Sequence, residues 1–298
     1  MLISSFGEFG LIERFKKQIK TDSTVIKGSG DDCAVLKFDK LHHQLYTCDM
    51  IIEGVDFTRK DDPYLIGRKA IAISLSDIAS CGGTPRHCVI SLGMPKSTGV
   101  KFIDRLFKGM LDIARLYKVN IVGGDLSRTQ KLILDVSILG LVEAKHLVLR
   151  SGAKPGDIIL VTGSLGGSIH GKHLRFTPRL KEARYLVSKF SVHAMIDISD
   201  GLAQDLGHIA KESGVGARIY QGRIPMSKDC ANIEDALYSG EDFELLFTVS
   251  TKDAAKLLKI KPREFTAIGE VVEKKYGLKS VDNKGWVKPL KPKGFRHF

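Results

Sequence analysis

Met195-Ile196-Asp197-Ile198-Ser199-Asp200-Gly201-Leu202 is the stretch on which the reading of this chain turns. Its first half alternates as a strand does, so Asp197 and Ser199 share one face while Ile196 and Ile198 share the other. From Gly201 the spacing becomes helical, with Leu202, Leu206 and Ile209 on one stripe and Gly214 as a stop. Ser199 or Asp200 is then placed as the helix N-cap. Two carboxylates and a hydroxyl converge at a strand-to-helix corner, beside free backbone N–H groups and a glycine that permits close approach. Hard oxygen ligands suit Mg²⁺, and helix N-terminal amides suit phosphate. The same residues would equally serve as an ordinary cap and strand end, so the rest of the chain has to decide.

The 298 residues are 43% hydrophobic, enough for a substantial core, and at ~100–150 residues per domain they predict two domains. A formal net charge of +12 points to anionic partners: nucleic acid, a membrane surface or small phosphorylated ligands. The basic residues are scattered from Arg14 to Arg296, as on a solvated surface, and no basic-aromatic motif emerges, which argues against nucleic acid. Cys33, Cys48, Cys81, Cys88 and Cys230 are odd in number and contain no C-x-x-C pair, which argues against a disulfide framework or a zinc ribbon. Met1 to Lys20 lacks the apolar centre of a secretory signal, and Asp77 and Asp135 interrupt the most apolar regions short of a membrane-spanning ~18–20 residues. A cytoplasmic protein is expected.

Gly7 to Lys20 has helical spacing at Leu11, Ile12, Phe15 and Ile19. Gly28 to Leu36 is a glycine-rich turn feeding a strand, and a second strand, Gln44 to Ile52, carries Thr47, Cys48 and Asp49 in its middle. Asp62-Pro63 opens a helix that runs to Ser80, where Ile66, Ala70, Ile73 and Asp77 share a stripe. A carboxylate on an apolar stripe calls for an ion pair or a metal. Val100 to Lys118 is a second amphipathic helix, with Tyr117 on its apolar side. Val119 to Asp125 reads as a short buried strand ending in Gly123-Gly124-Asp125, followed by a strand from Leu132 to Val142. Turn formers from Arg150 to Asp157 open a second domain, and Ile158 to Gly163 is a buried strand. Gly166 to Lys172 fits G-x-x-x-x-G-K, but His173 stands where a phosphate loop needs Ser or Thr, so no such loop is read. His170 and His173 are expected to face solvent.

Asp32, Asp49, Asp77, Asp125, Asp197 and Asp200 all sit beside glycines, at element ends or on apolar faces in a chain of net positive charge. So many poorly solvated carboxylates imply shared divalent cations, and cations so held without a phosphate loop suggest a polyphosphate site. The motifs Gly7-Glu8-Phe9-Gly10-Leu11-Ile12, Gly30-Asp31-Asp32-Cys33-Ala34, Ser74-Leu75-Ser76-Asp77-Ile78-Ala79, Gly123-Gly124-Asp125, Arg150 to Asp157, Ile196 to Leu202 and Gly240-Glu241-Asp242-Phe243 follow in one order nearly end to end. In that order they resemble the thiamine-monophosphate kinases, of the superfamily that includes aminoimidazole ribonucleotide synthetase.

The resemblance implies a two-domain α/β (α+β) fold: residues 1–142 binding ATP and Mg²⁺ and pairing in a homodimer, residues 143–298 closing the cleft. It implies transfer of the γ-phosphoryl of ATP to thiamine monophosphate, giving thiamine diphosphate, with several Mg²⁺ ions and neither nucleic acid nor membrane as partner. Matched position by position, Asp32, Thr47, Asp49, Asp77, Asp125, Asp197 and Asp200 would hold Mg²⁺, with Asp49, Asp125 and Asp200 closest to the chemistry. Tyr117, Gly124, Asp125, Arg150 and Ser199 would contact ATP, and Asp56, Glu241 and Phe295 would face thiamine phosphate. The chain departs from the family pattern in having Asp56 for a histidine, Cys48 for a threonine and Ser239 for a glycine. The alternatives are another ATP-using member, such as aminoimidazole ribonucleotide synthetase or a hydrogenase-maturation dehydratase, and, in a different class, a basic nucleic-acid-binding protein. The dehydratase chemistry uses a C-terminal cysteine, where this chain has His297-Phe298.

Overall fold

Alternating burial marks the strands of the first half and apolar stripes mark its helices. The structure, a computed structural model, describes residues 6–261 and 263–295; Met1–Ser5 and the tail Arg296-His297-Phe298 lie outside the described residues. Helix α1 (Gly7–Lys16) precedes β1 (Val25–Lys27), β2 (Ala34–Lys37) and β3 (His42–Ile52), then α2 (Pro63–Ser80), β4 (Thr84–Met94), α3 (Val100–Leu116), β5 (Asn120–Arg128) and β6 (Ile133–Glu143). The six strands form one sheet in the order β1-β2-β3-β6-β4-β5. Leu45 and Ile51 of β3, Leu134, Val136 and Ile138 of β6 and Ile90 of β4 bury one face of this sheet in the core shared with α2. The other face is open, with Tyr46, Met50, Val89 and Val122 exposed. β5, expected to be buried, is instead an edge strand exposed along almost all its length, because among the described residues only β4 pairs with it.

Helix α2 starts as its sequence predicts: the Asp62 carboxylate accepts from the Tyr64 N–H at 3.0 Å and Pro63 takes the first helical position. It crosses α3 at close range through two glycines, since a Cβ on Gly67 would overlap the Leu106 carbonyl and one on Gly109 the Tyr64 carbonyl. The Arg105–Asp62 ion pair and a 3.1 Å hydrogen bond from Tyr64 Oη to Asp112 flank the crossing.

The second half contains β7 (Ile158–Thr162), α4 (Lys172–Arg175), α5 (Leu180–Lys189), β8 (Val192–Asp197), α6 (Leu202–Ser213), β9 (Gly216–Tyr220), α7 (Ile233–Tyr238), β10 (Leu245–Val249), α8 (Thr251–Ile260), β11 (Phe265–Val272), β12 (Leu278–Val281) and β13 (Val287–Pro289). Its seven strands are ordered β13-β12-β9-β11-β7-β10-β8. Leu202, Leu206 and Ile209 of α6 are buried, and Gly214 ends the helix at φ 68°, as expected. The N-cap is neither Ser199 nor Asp200. Gly201 takes that position, and the Asp205 carboxylate reaches back to accept from the N–H groups of Asp200 at 3.2 Å and Gly201 at 3.1 Å. Asp205 thereby braces the turn that enters the helix, and neither Ser199 nor Asp200 takes the capping position expected of them.

The larger hydrophobic core runs through both halves, from Leu75 and Ile78 of α2 to Leu160, Leu186 and Phe247. α2 also packs on α4, α5 and β8, so one helix serves both sheets. A cavity of about 1050 Å³ lies along it, lined from both halves. Gly109→Val is expected to force α2 and α3 apart and destabilise the fold by about 1–3 kcal/mol. Thermal unfolding checks this against Gly10→Ala, whose Cβ would make only ordinary contact with Phe6 at 3.6 Å.

Candidate active site

Alternation on β3 turns Thr47 and Asp49 toward α2, which brings Asp77 to meet them, while β8 ends on Asp197 and the loop before β2 supplies Asp31 and Asp32. Thr47 donates its hydroxyl hydrogen to Asp77, Ser74 donates to Asp49 at 2.6 Å, and Ser76 donates to Asp197. Arg150 directs Nε at 2.9 Å and Nη2 onto Asp32 Oδ1, and its backbone N–H lies 3.2 Å from both Asp31 oxygens. Oxygens of Asp32, Asp77 and Asp197 all lie within 4.8 Å of one another, as do ligand atoms of Asp200, Asp205 and His208.

The electrostatics follow from crowding. Burial pushes the Asp77 carboxyl well above the usual range, and Asp49, Asp197 and Asp32 push it further. Burial, then Asp32, lifts Asp197 to about 8 and Asp31 to about 7; burial raises Asp49 as well. Burial holds His208 down at about 4, leaving a neutral imidazole. Asp32 Oδ2 is buried with no hydrogen-bond partner among the described residues. Converging carboxylate oxygens, one of them orphaned, fit a hard divalent cation of the Mg²⁺ type.

At the other end of the cavity, the loop around Gly240 lies on the backbone of Ser199 and Asp200, with the Glu241 N–H donating to Ser199 O at 2.7 Å. Glu241 and Phe243 both adopt left-handed backbone, φ 64° and 51°, and Phe243 stacks on Phe176 with ring centroids 4.1 Å apart. Glu241 pairs with Lys69, and its other oxygen lies 3.2 Å from His173 Nδ1. His173, expected at the surface, is buried, because α4 packs on α2; His170 is exposed as expected. Asp56 accepts from the Ile52 N–H at 2.7 Å, and the Phe295 N–H donates to Asp200 O at 3.0 Å. Lys172, of the loop-like G-x-x-x-x-G-K, is engaged by Ser164 O at 2.7 Å and Glu244 at 3.0 Å.

Asp32, Thr47, Asp49, Asp56, Asp77, Arg150, Asp197, Ser199, Asp200, Glu241 and Phe295 thus line one cavity. Tyr117, Gly124 and Asp125 do not. Tyr117 ends α3 and donates to Pro178 O at 3.4 Å. Asp125 is in register with Ser91 and, through Asp135, with Met50, on the open face of the first sheet. Cys48 faces that side too, its Sγ 3.4 Å from Asp135.

Residues 30–142 match the AIR synthase related protein N-terminal domain, and residues 167–280 the C-terminal domain. The chain is 37% identical to a thiamine-monophosphate kinase of Buchnera aphidicola subsp. Schizaphis graminum, over 98% of this chain and 99% of that one. The chain belongs to the thiamine-monophosphate kinase family. The family member of Aquifex aeolicus is 34% identical over the full length of both chains. A solved structure described as "AaThiL complexed with AMPPCP and TMP" superimposes with a TM-score of 0.85 at 32% identity, covering 100% of this chain and 99% of that one. Hydrogenase maturation protein HypE in complex with ATP, at 19% identity and a TM-score of 0.74 over 86% of this chain and 87% of that one, shares the fold alone.

Sequence reasoning gave no role to Lys69, Ser74, Ser76, Asp205 and His208, and placed His173 at the surface. Lys69 had a readable signal: with Ile73 and Asp77 it forms an i, i+4, i+8 stripe on α2. The raised carboxylates bind protons in the folded chain at a pH where the unfolded chain has lost them. Their contribution to stability is full below about pH 4 and is lost as pH rises through about 8. The thermal midpoint of the chelator-treated protein is therefore expected to fall between pH 5 and 8 by the equivalent of roughly a few kcal/mol. Added Mg²⁺ should restore it, and restore it less in Asp197→Asn; a flat or rising profile would contradict the cluster's electrostatics.

Proposed function

We propose that this chain phosphorylates thiamine monophosphate with ATP to give thiamine diphosphate. The observation that carries the reading is the recessed carboxylate cluster, opening on the same cavity as Arg150, Glu241 and Phe295, in a member of this kinase family. AMPPCP is an ATP analogue, and its presence with TMP in a relative of the same fold supports both substrates.

Asp32, Thr47, Asp49, Asp77, Asp197 and Asp200 would hold Mg²⁺, and bound Mg²⁺ neutralises polyphosphate charge and orients it for in-line transfer. The acceptor is a phosphate monoester, already anionic near neutral pH, so the chain has little need of a general base. Its work is to bring two polyanions together. Arg150, fixed by Asp32, presents a guanidinium for phosphate oxygens, and Ser199 lines the same cavity. The Phe295 ring, 44% exposed, offers a face to the cationic thiamine ring, and Glu241 flanks it. Asp56 acts by bracing its turn against Ile52, where the family's histidine would act directly.

We place the division of the chain at residues 142 and 143, and propose a cytoplasmic homodimer. Among the described residues no helix is long and apolar enough to cross a membrane. The open apolar face of the first sheet supports pairing of two copies. It also carries Asp125, next to Gly124 on the edge strand; neither lines the carboxylate cavity, so pairing is the route by which they, with Tyr117, would meet ATP and Mg²⁺.

Purified protein given ATP, Mg²⁺ and thiamine monophosphate is expected to form thiamine diphosphate and ADP in equal amounts. Asp49→Asn should cut the rate by about two orders of magnitude or more. ATP consumption without thiamine diphosphate would move the substrate elsewhere in the superfamily. Val122→Glu on the open face should yield monomers by light scattering, with activity falling in step; a dimer that persists would refute the pairing surface.

A further inference from the structure

We infer that Lys69 is a positioning residue for the acceptor: it fixes the Glu241 carboxylate, and through it the binding of thiamine monophosphate, without touching ATP or metal. The inference rests on the proposed function, in which Glu241 faces that substrate.

Lys69 is the largest of the fully buried side chains, 1% exposed, yet its ammonium stands at the cavity wall. Its contacts end on protein: the Asp56 carbonyl at 2.9 Å, His173 Nδ1 at 3.2 Å and Glu241 Oε1. These partners come from the turn after β3, from α4 and from the loop before β10. One ammonium therefore ties together two halves of the chain, the turn at Asp56 and the substrate-facing Glu241. A buried ammonium is unfavourable unless it is paired, and an apolar side chain on α2 would pack there at no such penalty.

Two further observations assign the effect to Glu241. Its backbone is left-handed, φ 64°, a conformation a glutamate rarely adopts and one that persists where surrounding contacts hold it, and the Lys69 ion pair is one of those contacts. The neighbouring imidazole is an incomplete tether. His173 Nδ1 lies 3.2 Å from both Lys69 Nζ and Glu241 Oε2, and a single ring nitrogen either accepts from the first or donates to the second. Lys69 bonds Glu241 in either case. Burial works to raise the Glu241 carboxyl, but His173 and Lys69 together hold it below its usual range, so it stays ionised. Lys69 and Asp77 are eight residues apart on α2, about 12 Å along its axis. The effect should thus stay at the acceptor end.

The test is steady-state kinetics with thiamine monophosphate and ATP varied separately, on the full-length wild type, Lys69→Met, Glu241→Gln and the double variant. Lys69→Met is expected to raise KM for thiamine monophosphate tenfold or more and to leave KM for ATP within about twofold. The double variant should be no worse than Glu241→Gln, because Lys69 acts through that carboxylate. An unchanged KM for thiamine monophosphate, equal shifts in both KM values, or additive losses in the double variant would overturn the inference while the proposed function stands. A wild type that forms no thiamine diphosphate overturns the proposed function and the inference with it. If Lys69→Met does not fold, the double variant, which removes both charges together, is compared with Glu241→Gln: equal KM values support the inference and a tenfold difference overturns it.

Discussion

Carboxylates recessed together repel one another, and much of this structure is organised to hold them in place regardless. Asp32, Asp77 and Asp197 have oxygens within 4.8 Å of one another, from three different segments. Each is secured separately: Arg150 grips Asp32, Thr47 binds Asp77, and serines of α2 bind Asp49 and Asp197. A cluster held this way is preorganised for a cation, since the work of bringing like charges together is done when the chain folds. The cation then relieves repulsion already present.

Helix α2 makes that possible because it is rigid and shared. Its Asp62 cap and Pro63 set its start, two glycines press it against α3, and its buried residues join a core that extends into the second sheet. Serines 74 and 76 and Asp77 meet the carboxylates, while Lys69, about two turns earlier, meets the acceptor end. The cavity thus inherits its polarity from the order of residues along one helix. The two halves of the chain meet at an interface with apolar content and buried ion pairs, which favours one fixed relation between them.

Features that depend on neighbours in sequence were legible. The start of α2, the stop at Gly214 and the strand character of the Asp49 and Asp197 segments rest on local dihedral and capping rules, and they agree with the structure. Aspartates on apolar stripes marked the cluster because buried charge is costly wherever it occurs. Features that depend on distant partners were not legible. Val119 to Asp125 has the composition of a buried strand, but its burial is decided by a second neighbour that this sheet does not supply. The burial of His173 depends on the packing of α4 on α2, and the N-cap falls to Gly201 because the backbone turns there so that the Asp205 carboxylate, four residues on, braces the turn from inside the helix.

The edge strand β5 bears on how this protein behaves in concentrated solution. A strand with one free side presents unpaired N–H and C=O groups that can recruit a strand from another molecule, and such templating is a route to aggregates. Gly123 and Gly124 leave part of that edge without side chains to obstruct it. What opposes uncontrolled growth is long-range repulsion: a net charge of +12 keeps copies apart, and Arg128 closes the strand with a cation. The basic excess then acts as colloidal protection, and the protein should tolerate crowding at low ionic strength better than at high salt, where that repulsion is screened.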